Sequence, residues 1–195
     1  MVPAVVPSAL PEIRSLEDWM QNPPEGKEWV NGELVEKHPA IAVGGQLVEA
    51  NGMTLKHSRT QARLASAWKD HKNDSESGGE VYTEAPCRTN IRGRYPDVAY
   101  LTPELVTQYG DLATLPQSFP LSAEIVSSTD FAEEVIAKAQ EYLESGGAEV
   151  WLIFPENRWI IVVTQETREI FVSGQVVSTQ KVLSGFRVAV DELLG

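Results

Sequence analysis

Hydrophobic and polar positions repeat along this chain with two different periods, and the switches between them mark out its elements. Lys27-Glu-Trp-Val and Glu33-Leu-Val-Glu36 are strand-like runs separated by Asn31-Gly32. That dipeptide between two such runs is the strongest short signal of a tight hairpin. Upstream, Ser15-Leu-Glu-Asp18 reads as a capping box opening a short helix through Met20, which Asn22-Pro-Pro-Glu-Gly26 ends. From Thr54 to His71 the spacing of Leu64, Ala65 and Trp68 predicts a helix, with Arg59, Arg63 and Lys69 elsewhere on its surface. Between these, Pro39 to Met53 is broken by Gly44-Gly45 and Asn51-Gly52 and fits a loop, a short strand or a helical turn.

Further along, Glu80 to Ala85 and Cys87 to Ile91 read as strands after the polar loop Asn73 to Gly79. Gly93 turns the chain into a third strand, Pro96 to Leu101, where an opening proline is tolerated. Thr102 to Gln117 is polar, a surface loop or short helix. Leu121 to Ser127 is a strand, apolar at Leu121, Ala123, Ile125 and Val126, and broken by Glu124. Ser127-Ser-Thr-Asp130 supplies caps for a helix that stops near Ser145, before Gly146-Gly147. Glu149 to Phe154 and Trp159 to Thr164 are strands joined by the tight Pro155-Glu-Asn-Arg turn. Glu169 to Val172 and Val176 to Ser178 suggest shorter strands, and Asp191 to Leu194 a terminal helical turn. The order of elements predicts a mixed α/β (α+β) layered fold with a mixed sheet, flanking helices and an N-terminal hairpin. Residues 15–195 read as a single domain behind a loose leader, residues 1–14, with no internal repeat.

Composition narrows the classes. A chain of 195 residues, 42% hydrophobic and with five Trp, can bury a core. No apolar run is long enough to span a bilayer, and Met1 to Leu10 lacks the basic start of a signal peptide. Cys87 is the lone cysteine, which excludes a disulfide framework and fits a reducing cytoplasm. The net charge of −12 is the reverse of the usual nucleic-acid footprint. Nucleic-acid binding then requires a local basic patch or metal ions that mask the acids; otherwise the charge serves solubility.

Three residues on consecutive elements change the picture. Glu124 sits between Ala123 and Ile125 in a strand expected to be buried, and Asp97 heads another apolar strand. Buried carboxylates are rare unless paired or bound to metal. Two of them at neighbouring strand ends form a hard-oxygen site suited to Mg²⁺ or Mn²⁺. On the following helix, a turn of about 100° per residue gathers Phe131, Ala132, Val135, Ile136, Ala139, Tyr142 and Leu143 into an apolar stripe. Lys138 lies at its edge, between Val135 and Tyr142, where its stem can run along the sheet and its ammonium approach the strand ends. A lysine snorkelling to water, or pairing with Glu134 or Glu141, is the alternative. For Glu124 the alternative is an edge strand facing water.

Pro96-Asp97, Glu124-Ile-Val-Ser127, Lys138-xxx-Tyr142, Gly146-Gly147 and Glu149-Val-Trp-Leu-Ile-Phe-Pro155 together resemble the putative restriction endonuclease family of bacterial proteins, a branch of the PD-(D/E)XK nuclease superfamily. The resemblance runs from about Leu16 to Leu194 and takes in the Gly32-Glu-Leu-Val35 hairpin, His57 and the closing Leu183-Ser-Gly-Phe-Arg to Glu192-Leu-Leu segment. It implies a restriction endonuclease-like core with Asp97 and Glu124 as metal ligands and the Ile125 carbonyl as a third. The superfamily's plain motif puts lysine two residues after the glutamate. Val126 stands there, and Lys138 matches the position to which that lysine moves in related cases. Glu33 and His57 are secondary candidates as ligand or base.

The expected activity is Mg²⁺-dependent hydrolysis of DNA phosphodiesters by Asp97, Glu124 and Lys138. Arg88, Arg92 and Arg94, three arginines in seven residues with no acid among them, are the candidate DNA-phosphate contacts, with His38, Lys56 and Arg59 as further cations. A solvated hairpin turn explains the three arginines equally well. Two other functions compete: a non-catalytic binding or regulatory module on a nuclease fold, and a metal-dependent hydrolase of small phosphate esters, which the absent basic surface would suit. A homodimer is an expectation by analogy with proteins that cut both strands.

Overall fold

The computed structural model describes residues 13–37, 54–128 and 130–195, and the backbone of 41–43 and 46–48. His38, most of the leader and the rest of the Pro39 to Met53 stretch lie outside the described residues. Helix α1, Leu16–Gln21, starts on Ser15, whose hydroxyl accepts the Asp18 N–H at 3.1 Å. Strands β1 (Lys27–Val30) and β2 (Glu33–Glu36) close around Asn31 and Gly32, both with left-handed φ (52° and 88°), as a two-residue turn of this kind requires. A second hairpin, β3 (Ile41–Val43) with β4 (Gln46–Val48), resolves part of the ambiguous stretch. Helix α2, Leu55–Asp74, is capped by the Thr54 hydroxyl and runs a turn beyond the expected end. Buried Lys72, 3.5 Å from Glu80, anchors that extra turn.

Next come β5 (Glu80–Thr83), β6 (Cys87–Arg88), β7 (Gly93–Arg94), β8 (Val98–Leu101), α3 (Pro103–Tyr109) and β9 (Leu121–Ile125). Gly93 is a strand residue rather than a turn. It pairs with Trp29, and the Trp19 ring lies where a side chain would otherwise stand. Then follow α4 (Ala132–Glu144), β10 (Glu149–Phe154), β11 (Trp159–Thr164), β12 (Arg168–Val172), β13 (Val176–Ser178), β14 (Arg187–Ala189) and α5 (Val190–Leu194). Strand β14, which pairs with β13, was not anticipated. Helix α4 has Phe131 at its N-cap, with no side-chain cap bond. Asp130, expected to cap it, turns back to accept the Ser127 N–H at 2.7 Å.

The main sheet has six strands in the order β12-β11-β10-β9-β8-β5, with β9 and β10 parallel and the other neighbours antiparallel. A smaller sheet runs β2-β1-β7-β6. Alternation along β9 sends Leu121, Ala123 and Ile125 into a core shared with Leu64 and Trp68 of α2 and Val190 and Leu193 of α5. Ser122 and Glu124 therefore point to the opposite face. There Ala139, Tyr142 and Leu143 of α4 pack with Val150 and Leu152 of β10. Only this C-terminal half of the predicted α4 stripe is buried; Phe131 and Ile136 are exposed. A third cluster, Leu16, Trp19, Trp29 and Tyr95, holds α1 against the small sheet.

Candidate active site

Strand register assembles the site. β8 and β9 pair antiparallel with Val98 opposite Ala123, so one position further sets Asp97 opposite Glu124. β5 and β8 pair with Thr83 opposite Val98, so the next position sets Glu84 opposite Asp97. The Glu84 N–H donates to the Asp97 carbonyl at 3.3 Å, as that continuation demands. Glu84, Asp97 and Glu124 thus form a row across three adjacent strands at one end of the sheet. Like charges directly opposite one another in a sheet are destabilising, so this row has to be neutralised from outside the strands.

Helix α4 supplies the cation on the Glu124 side. Four residues apart, Lys138 and Tyr142 lie on one helical face. The Lys138 ammonium donates to Glu124 Oε2 at 3.1 Å, and the Tyr142 hydroxyl to Oε1 at 2.7 Å. Lys138 also donates to Glu28 Oε1 at 3.0 Å. Glu28 comes from β1 of the small sheet and is buried, while its neighbour Trp29 joins the α1 cluster. Arg94 donates to Glu28 Oε2 at 2.6 Å and to both oxygens of Glu141. The small sheet is therefore one wall of the site.

A second lysine serves Asp97. Lys37, directly after β2, donates to Asp97 Oδ1 at 2.7 Å and to Glu84 Oε2 at 2.5 Å, and its side chain is 3% exposed. Asp97 Oδ2 accepts the Ile125 N–H at 2.6 Å and faces His57 Nε2 at 3.3 Å. Gln61, one turn after His57 on α2, donates to Glu84 Oε1 and to the Asp97 carbonyl, both at 2.9 Å. Beside His57 a small pocket of about 30 Å³ is lined by Lys56, Ser127, Ser128 and Glu156 among others.

Electrostatics separates the acids. Burial raises every carboxyl here, and the nearest cations decide the outcome. At Glu28, Lys138 and Arg94 overcome burial and hold the carboxyl at about 2. At Asp97, burial is outweighed by Lys37 and by the His57 contact, and the group stays ionised far below the usual range. At Glu124, burial prevails over Lys138, Asp97 adds to it, and the carboxyl is pushed up to about 7. Both lysines remain charged, because the attraction of the acids exceeds the cost of burial.

The sequence-predicted trio Asp97, Glu124 and Lys138 is brought together, and Ile125 joins it through its amide. The arginines are not presented as an open patch. Arg94 is turned inward, Arg92 donates to Glu141 Oε2 at 2.6 Å, and Arg88, the most exposed of the three, lies 3.3 Å from Glu17. Glu33 is exposed on β2, outside the cluster. Glu28, Lys37, Gln61 and Glu84 were missed. For Glu28, Lys37 and Glu84 the only sequence signal is a charged residue beside an apolar strand position, which many surface residues share; Gln61, an uncharged residue on α2, carries none. Among the described residues, no three His, Cys, Asp or Glu side chains stand ready as a coordination shell. The donor chemistry still fits a hard divalent cation: carboxylate oxygens in a row, with the Lys37 ammonium standing between two of them as a cation does.

Comparison with known proteins adds to this geometry. The Uma2 family model, described as putative restriction endonuclease, matches residues 11–191. Among solved structures, a putative nuclease belonging to DUF820 from Anabaena variabilis ATCC 29413 is similar, with a TM-score of 0.73 and 17% identity, over 92% of this chain and 97% of that one. At that identity the likeness shows a shared fold. No curated protein matches.

Proposed function

The chain belongs to the putative restriction endonuclease family, and on that premise we propose that it is a Mg²⁺- or Mn²⁺-dependent endonuclease hydrolysing phosphodiester bonds in DNA. The observation that carries this reading is the reach of Lys138. With Val126 where the plain motif has lysine, the reaction needs a cation from elsewhere, and the Lys138 ammonium lies 3.1 Å from Glu124.

In this reading Asp97, Glu124 and the Ile125 carbonyl hold the metal. When bound, the ion stabilises charge on the phosphate and lowers the pKa of a water. The chain's own residues do the rest. The Ile125 N–H fixes the orientation of Asp97. Tyr142 and Lys138 fix Glu124, and Lys138 stands ready to orient the attacking water or stabilise the negative charge on the phosphoryl oxygens in the transition state. The water oxygen bonds to phosphorus and releases a proton to solvent, one P–O ester bond breaks, and the leaving oxygen takes a proton from solvent water. Arg88 and Arg92, both half-buried, at the end of β6 and in the turn between β6 and β7, are the proposed backbone contacts, and DNA binding would draw them from Glu17 and Glu141. Arg94 acts inward, by holding Glu28 against Lys138.

The test is metal-stimulated cleavage of supercoiled, linear and single-stranded DNA by the wild type and Asp97→Asn. Cleavage by the wild type and its loss in the variant, with circular dichroism unchanged, is expected. A wild type that cuts none of these with either metal would sink the proposal. The internal pairing of Arg92 and Arg94 favours a second reading, a non-catalytic module on this fold. DNA binding that needs no metal and survives Asp97→Asn would support that one.

A further inference from the structure

The two oxygens of Asp97 are not equivalent. Oδ2 takes the Ile125 N–H at 2.6 Å and faces His57. Oδ1 takes only the Lys37 ammonium among the described contacts. With Oδ2 taken by the Ile125 N–H and facing His57, Oδ1 is the more open approach for a divalent ion on Asp97. Two full positive charges cannot share one carboxylate oxygen at bonding distance without strong repulsion in so buried a place. The metal and Lys37 compete for the same atom.

We propose that Lys37 is a resident counter-ion that sets the metal affinity of this site, and that Glu84 is the dock to which its ammonium retreats when a divalent ion takes Asp97. The inference rests on the metal-dependent reading above and deepens it. Three observations support it. Lys37 already touches both acids, so release of Asp97 requires a small swing rather than expulsion into solvent. Glu84 lies on the open side of the row: its side chain is 38% exposed against 2% for Asp97. Glu84 is also held in the left-handed region, at φ 50°, with Gln61 fixing its other oxygen. The dock stays in place whether or not Lys37 leans on Asp97.

The consequence is a pair of opposite effects. Lys37→Met keeps the apolar stem and removes the competitor, so Mn²⁺ binds more tightly. Glu84→Gln removes the retreat and leaves Lys37 to Asp97 alone, so Mn²⁺ binds more weakly. In the double variant, Glu84→Gln adds nothing to Lys37→Met, because the lysine through which it acts is gone.

Calorimetric titration of Mn²⁺ into the full chain reads all three. The expected result is a Kd lowered about tenfold or more in Lys37→Met, the scale on which groups around a metal site act. It is raised by a similar factor in Glu84→Gln. Lys37→Met binding no tighter than a wild type that binds through Asp97 overturns the inference and leaves the metal site standing. A further loss from Glu84→Gln in the Lys37→Met background makes Glu84 a ligand and overturns its role as dock. Absence of Asp97-dependent Mn²⁺ binding in every variant removes the metal reading itself, and the inference with it. Should Lys37→Met fail to fold, Glu84→Gln alone decides: weaker Mn²⁺ binding is expected, and a Kd equal to or below the wild-type value overturns the inference.

Discussion

Replacing Lys138 with Met tests the electrostatics of the site without opening a cavity, because methionine retains most of the apolar stem. In the wild type the ammonium touches Glu28 at 3.0 Å and Glu124 at 3.1 Å, and its side chain is 15% exposed. The two carboxyls respond to pH in opposite directions. Glu28, held at about 2 instead of 4.5, contributes about 3 kcal/mol of stability above pH 4.5, lost as the pH falls toward 2. Glu124, pushed up to about 7 from 4.5, favours the folded state only while protonated; about 3 kcal/mol is lost as the pH rises from 4.5 through 7. Lys138 supports the first and limits the second. Its removal leaves two buried acids facing each other, a change that costs about 3–5 kcal/mol when both are ionised. At lower pH, Glu124 takes a proton and the cost shrinks. Urea unfolding of both proteins at about pH 8 and about pH 5.5 measures the difference. The variant should show a large deficit at the higher pH and a clearly smaller one at the lower. Equal midpoints at the higher pH, or a deficit that does not change with pH, would refute the reasoning.

Two further substitutions probe neighbouring links. Tyr142→Phe removes the donor to Glu124 Oε1 and should cost about 1–3 kcal/mol. It should also raise the Glu124 carboxyl further, so that Mn²⁺ binding, followed by calorimetry across pH, begins at a higher pH than in the wild type. Glu149→Gln lies on the other face of the sheet, where the carboxylate accepts the Trp151 indole N–H at 2.6 Å and the Gln180 and Lys181 backbone N–H groups, each at 2.7 Å. It should lower the urea midpoint by about 1–3 kcal/mol of stability while Mn²⁺ affinity stays at the wild-type value. A shift in that affinity would show the two faces to be coupled.

The difference between what the pattern revealed and what it concealed has a physical cause. Asp97 and Glu124 stand out because a carboxylate in an apolar run is locally improbable, and Lys138 because 3.6-residue periodicity fixes its place at the stripe's edge. The hairpin and its turn were legible for the same reason: turn chemistry is local. Glu28, Lys37 and Glu84 belong to the site only through strand register and the docking of the small sheet. Lys37 reaches Glu84 across 47 positions and Asp97 across 60, and Lys138 reaches Glu28 across 110, separations that no window of sequence encodes. The arginines fail for the same reason in reverse. Arg88, Arg92 and Arg94 have no acid between them in sequence, but the fold brings Glu17, Glu141 and Glu28 to their tips.

Signs alternate along the resulting network. Glu84, Lys37 and Asp97 form one run. Glu124, Lys138, Glu28, Arg94, Glu141 and Arg92 form the other. The two runs meet where Asp97 stands opposite Glu124, and among the described contacts no single cation donates to both. At that junction two acids adjoin, and there burial with the Asp97 charge pushes the Glu124 carboxyl up. Each acid of the network touches a cation of the chain, Asp97 through Lys37 and Glu124 through Lys138, but among the described contacts none bridges the Asp97–Glu124 junction. On the reading proposed above, a divalent cation at this place would complete the alternation, in a chain of net charge −12 whose arginines are largely committed elsewhere. On that reading a DNA backbone meeting this surface would find its counter-charge chiefly in the bound ion, so affinity for DNA, and not only cleavage, should depend on the metal.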